Sequence, residues 1–320
     1  GRQGIYGFEP PEGPSAQDIA ERNAFEAEAA YWGIAPEDYA DTPEGRARAE
    51  EMGRRAEART KAELIDGKRP DSFNQDDIAK LDFSLVSDFD RDQFAAFAPT
   101  AVSGFGKDHF ASFDPTAVSG FGKDHVAAFD PDAVAGFGKD HVAAFDPMAV
   151  AGFDDRHIAA FDTAAMAGFK ADHVAALDAT AISGLGKDQF AAFDPSAMAG
   201  FKADHFAAID YGYMTALGKE HVAAFDPMAV AGFDPEHVAA FDPMAVTGFD
   251  PYHVAAFAPT AVAGFRKDHF AAFDPLAMEG FNPLHVAAFD ADAMAGFKGQ
   301  TLKELDPESF AAVTTDQLAK

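Results

Sequence analysis

The sequence predicts an all-α solenoid of very short helices, with a small helical region ahead of it. Three observations carry that expectation. One apolar residue returns every eight positions from Phe73 onward, opening 31 consecutive octads over 248 residues, 24 of them with Phe and seven with Leu, Ile or Val. No insertion or deletion breaks the register, which implies like units stacked in a line, each burying its apolar face on its neighbours. The octads are rich in Ala and repeatedly carry Asp-Pro, residues that build and open helices. An enzyme needs irregular loops to gather different side chains around one point, and this stretch has almost none.

Residues 1–72 read differently. Gly4, Gly7, Pro10, Pro11, Gly13 and Pro14 mark 1–14 as an extended arm carrying Ile5, Tyr6 and Phe8. Within 15–72, Ser15 caps a helix running to about Trp32, closed by Gly33. Thr42-Pro43-Glu44 opens a second, highly charged helix to about Ile65, with Asp66-Gly67 ending it. Arg46, Arg48, Arg54, Arg55, Arg59 and Lys61 make that helix the most basic stretch of the chain. It reads as a solvated helix laced with pairs such as Glu50–Arg54, or as an anchor on an acidic partner, another copy's solenoid included. The arm is expected to be pinned by another subunit. Ile5, Tyr6, Phe8, Arg46, Arg48, Arg54, Arg55 and Arg59 are therefore the candidate partner-binding residues.

The octads of 73–320 alternate between two kinds, so the chemical unit is a pair of octads. One reads Phe145-Asp-Pro-Met-Ala-Val-Ala-Gly152, the other Phe137-Gly-Lys-Asp-His-Val-Ala-Ala144. Asp146 is read as a helix N-cap and Pro147 as the first helical residue. Phe145 and Val150 stand at the spacing of a hydrophobic staple, and Gly152 lets the chain leave the helix. Each octad is then roughly one and a half helical turns. Such a segment is far below the ~12 residues at which an isolated helix becomes even marginal, so stacking must hold it. Pairing the octads into 16-residue coils, 15 pairs at one helix-packing distance of roughly 8–10 Å give a rod of about 120–150 Å. A β-solenoid with 16-residue coils is the alternative fold, disfavoured by the heavy Ala and Met usage and the repeated Pro.

All 11 histidines lie at the fifth position of the second kind of octad: His109, His125, His141, His157, His173, His205, His221, His237, His253, His269 and His285, with Gln189 in the one gap. An acidic residue precedes eight of them, a pattern that metal binding or proton relay would use. In a helical stack, successive coils lie roughly 8–10 Å apart, too far for two rings to share a zinc at about 2.0–2.1 Å each. Gln93, Gln189 and Gln317 at matching places point to a structural role, because Gln three residues past a cap completes a capping box.

Net charge is −28, of which −22 falls on the octads. So acidic a surface argues against nucleic acid and anionic membranes as partners and leaves divalent cations or a basic protein surface. No apolar run approaches the ~18 residues of a membrane span. The absence of Cys excludes disulfides and thiolate metal sites. No phosphate loop, nucleophile elbow or dinucleotide fingerprint occurs.

The last octads, Leu305-Asp-Pro-Glu-Ser-Phe-Ala-Ala and Val313-Thr-Thr-Asp-Gln-Leu-Ala-Lys, resemble the octapeptide repeats of Leu-Thr-Pro-Glu-Gln-Val-Ala-Ala type found in large bacterial surface-associated and secreted proteins. The resemblance covers 248 of 320 residues, with Phe for Leu, Asp for Thr and His for Gln. It implies a structural or interaction repeat at the cell surface, outside the cell or in the periplasm. The expectation is a non-enzymatic scaffold, spacer or brace with protein partners, further copies of itself included, and without a cofactor. A cation-binding or pH-responsive histidine ladder is one alternative, an accessory subunit of a pigment- or cofactor-bearing complex another.

Overall fold

The computed structural model describes residues 65–297, 299 and 303–319, together with Ala47, Glu50 and Arg54. The chain forms two compact units, Gly1–Arg69 and Pro70–Lys320. In the first, Ile65 pairs with Lys68 through an isolated antiparallel bridge across a tight turn. Asp66 and Gly67 take φ of 49° and 69°, left-handed conformations that an Asp-Gly pair tolerates well. Ala47, Glu50 and Arg54 are helical and exposed. The rest of the expected arm and helices lies outside the described residues, as do Ile5, Tyr6, Phe8, Arg46, Arg48, Arg55 and Arg59.

The second unit is an all-α solenoid of very short helices, with no sheet among its described residues. The two kinds of octad differ in helix type. His octads form short α-helices, such as Lys139–Ala144. Asp-Pro octads form 3-10 segments, such as Pro131–Gly136, or four-residue α-helices, such as Pro147–Val150. The expected caps are in place. Asp146 Oδ1 accepts the Met148 N–H at 2.8 Å, and Pro147 occupies the first helical position. Staples form where both members are aromatic: the rings of Phe89 and Phe94 lie 5.7 Å apart, those of Phe201 and Phe206 5.2 Å.

Ladder residues make the corners. Phe145 closes one helix at φ −60°, ψ 140°, and Asp146 follows at φ −62°, ψ 130°, so two extended residues redirect the chain after each helical segment. The helix Lys139–Ala144 packs on Pro115–Gly120 and on Thr163–Gly168, segments three octads to either side, and this spacing recurs along the unit. One turn of the solenoid is therefore three octads, and the solenoid has three sides.

The expected 16-residue coil is corrected by this: two octads make the chemical period, and three make the turn. The physical reason is the shape of the segments. A six-residue helix is about 9 Å long and, with side chains, about 10–12 Å wide. Two such stubs folded back on each other leave no interior, while three around an axis enclose a column for their Phe side chains. At roughly 8–10 Å per layer, about ten turns reach some 80–100 Å rather than 120–150 Å.

That column is the core. Phe137 meets Phe145, the next corner, at 5.2 Å between ring centroids and meets Phe161, one turn on, at 6.5 Å. Edge-on and tilted contacts of this kind suit the aromatic quadrupole. Full burial of each ladder side chain contributes roughly 1.5–3 kcal/mol against the ordering entropy that defeats an isolated stub. Gly sets how closely layers approach: a Cβ built on Gly136 would overlap the carbonyl oxygen of Lys107 in the layer below.

Candidate functional site: the histidine ladder between layers

Three is odd, so two alternating kinds of octad always stack unlike on unlike. A His helix lies between two Asp-Pro segments, and the same kind returns on one side only after two full turns. His109, His157, His205 and His253 thus share one side of the solenoid. His125, His173, His221 and His269 share a second; His141, Gln189, His237 and His285 share the third.

Each histidine is the third residue of its helix, and all but His221 do two jobs. Within its own octad, Nδ1 of His141 accepts the Gly138 N–H at 2.9 Å, capping the helix start from one side only, since Gly138 has no side chain to return the bond. Across layers, Nε2 of His141 reaches the Phe113 carbonyl oxygen at 2.7 Å, 28 residues earlier. That carbonyl sits at a corner, where no helical partner exists for it. The interlayer bond recurs from His109, His125, His157, His173, His205, His237, His253, His269 and His285, at 2.7–2.9 Å.

The geometry fixes the tautomer wherever the cap residue has no carboxylate. A backbone N–H can only donate, so Nδ1 is the bare nitrogen and Nε2 carries the hydrogen given to the carbonyl. This holds for His109, His125, His141, His173, His205, His269 and His285, whose caps are Gly, Lys, Arg or Asn. At His157, His237 and His253 the cap is Asp, and its Oδ1 also lies 2.8–3.1 Å from Nδ1. Burial pushes His173 and His269 below the usual imidazole range, Lys170 and Arg266 adding to it and the carbonyl bonds opposing. Burial does the same at His285.

Other side chains do the same job. Gln189 Nε2 donates to the carbonyls of Ile158 and Phe161, both at 2.9 Å, and Gln317 donates to those of Val286 and Phe289. Ser309 Oγ reaches the Phe281 carbonyl at 3.0 Å. The Gln residues were legible in sequence as capping-box members. A bond to an adjacent coil was also open to them; which carbonyl it reaches, and the role of Ser309, were not legible, because the 28-residue offset is a property of the stack.

As metal-ligand candidates, ten of the histidines have both ring nitrogens engaged by backbone or cap atoms, and none shares a centre with another. Among the described residues no group of three or more His, Asp or Glu converges. At these ten a cation would have to displace a cap or an interlayer hydrogen bond. The remaining one, His221, is half-buried and keeps only the Gly218 N–H at 3.1 Å. By the repeat its acceptor would be Phe193. The octad before that of His221 ends in Ala216, where twelve equivalent octads end in Gly. At those glycines an added Cβ would overlap the backbone of the layer below.

The neighbouring core is adjusted too. Phe94, Phe110, Phe206 and Phe270 each pack against the two ladder Phe residues 19 and 27 positions on, as Phe206 does edge-on against Phe225 and stacked on Phe233 at 4.9 and 4.6 Å. For Phe190 those positions hold the smaller Ile209 and Leu217, and Tyr213 fills the space at 6.3 Å. No protein-family model matches the chain, and no curated protein resembles it to a significant degree.

Proposed function

We propose that this chain is a non-enzymatic scaffold, spacer or brace whose three-sided rod holds protein partners at fixed separations. The observation that supports the reading is the ladder itself. The side chains best suited to chemistry are consumed in bonding each layer to the one below, leaving an acidic exterior on a regular frame. Such a frame offers equivalent positions at constant intervals, and that is the property a spacer needs. Kinship with the bacterial octapeptide-repeat proteins, and a place at the cell surface, outside the cell or in the periplasm, belong to the same proposal.

Cross-linking of the native particle through exposed lysines tests it, since Lys107, Lys187 and Lys267 mark well-separated layers. The expected result is links from distant layers to separate partner sites. Recovery of the chain from native material as a free monomer without such links would overturn the reading. A second reading, a rod whose stability responds to pH, is favoured by the bare Nδ1 that the cap bonds require, because protonation there removes the acceptor.

A further inference from the structure

The position after Asp-Pro, or its equivalent in the His octads, points to solvent on every side of the solenoid. Along one side, the residues there run Asp108, Asp132, Arg156, Thr180 and Asp204, all exposed and polar. The next three are Met228, Tyr252 and Leu276, still 77%, 75% and 61% exposed. They are spaced by three octads, one solenoid turn, so they stand one per layer in three successive layers. The octads that carry them, 225–232, 249–256 and 273–280, hold Asp226, Asp250, Asp274 and Glu279 and no Lys or Arg. Other large exposed apolar residues at this position, Met148, Met244 and Leu284, have no such neighbour in the adjoining layers of their own sides.

We propose that this stripe is a docking surface for a basic amphipathic helix of a protein partner. Three apolar side chains so exposed bury little of their surface in the fold, and their carboxylate rim selects a partner of opposite charge. The repeat sets the partner's spacing. Layers roughly 8–10 Å apart match the rise of about 10.5 Å between helix residues seven apart, so the partner presents an apolar residue every second turn with Lys or Arg between. The inference rests on the scaffold reading and names one class of partner for it.

The test uses the full chain and a synthetic Lys-rich helical peptide of about three heptads, with Leu at every seventh residue. Fluorescence anisotropy compares its binding to the unaltered chain, to Met228→Ser/Tyr252→Ser/Leu276→Ser, and to Met148→Ser/Met244→Ser/Leu284→Ser. The stripe variant is expected to weaken binding by at least about tenfold and the second variant by less than about twofold. A peptide with the same composition but dispersed Leu is expected to bind no better to the unaltered chain than to the stripe variant. Equal loss in both variants, equal binding of the two peptides, or no binding at all overturns the stripe. None of these results touches the spacer reading, which the cross-links decide.

Discussion

Nε2 of His141 donates to the carbonyl oxygen of Phe113 at 2.7 Å, joining a helix start to a corner one layer below. The same imidazole caps its own helix at Gly138, so one ring ties local structure to the stack.

Because both nitrogens are used, substitutions at His141 separate size from hydrogen bonding. His141→Gln is expected to keep most of the stability, as Gln189 already makes both bonds in its own octad. His141→Leu leaves a buried carbonyl and a cap N–H without partners, a loss of about 1–3 kcal/mol. Urea denaturation of the two variants checks this, and equal losses would mean that the ladder contributes by packing alone.

Two glycines two positions apart should respond differently to a methyl group. Gly136→Ala drives a Cβ into the Lys107 carbonyl, and overpacking of that kind costs about 1–3 kcal/mol. At Gly138 the nearest heavy atom to an added Cβ is His141 Nδ1 at 3.7 Å, so Gly138→Ala is expected to be nearly neutral. Thermal unfolding of both variants decides it.

Acid should loosen the solenoid in two stages. Burial lowers the folded pKa of His173, His269 and His285 below the unfolded value near 6.5, so the unfolded chain binds more protons in that range. Their contribution is complete above about pH 6.5 and declines as pH falls through the folded values. N-cap carboxylates follow at lower pH. Asp114 is held below its usual range by the Thr116 hydroxyl and N–H, and Asp194 by those of Ser196, so their contribution fades only below about pH 3.9. Denaturant midpoints that stay flat from pH 7.5 to pH 5 would contradict the first stage.

Deletions should obey the chemical period rather than the turn. Removing residues 129–144, two octads, leaves His helices stacked on Asp-Pro segments throughout. Removing residues 129–152, one full turn, sets like on like across the junction and abolishes interlayer bonds there. Circular dichroism melts are expected to show the shorter deletion as the more stable despite removing less than a turn. The reverse order would refute the three-octad stack.

His221 should be the most reactive imidazole of the chain. Its Nε2 lacks the carbonyl partner that shields the others, and the ring is only half-buried. Diethyl pyrocarbonate at pH 7 followed by peptide mapping is expected to modify His221 first. Restoring the small residue, Ala216→Gly, should slow that modification toward the rate of the other histidines.

Much of this molecule was legible in its sequence because octad chemistry is local. Asp146 and Pro147 open a helix wherever they stand, Phe145 lies one position before the cap, and Gln93 closes a capping box with Asp90. The periodic Phe residues could only be core. The number of octads per turn was not legible, because an eight-residue period is the same whether two, three or four segments complete a circuit. That number follows from how stubs as wide as they are long enclose a shared aromatic column. From it came the 28-residue reach of His141 to Phe113, the alternation of unlike octads on each side, the gap at His221 and the alignment of Met228, Tyr252 and Leu276. Sequence alone determined each segment and its caps; the tertiary structure decided which segments meet, because only packing sets the distance between residues a turn apart.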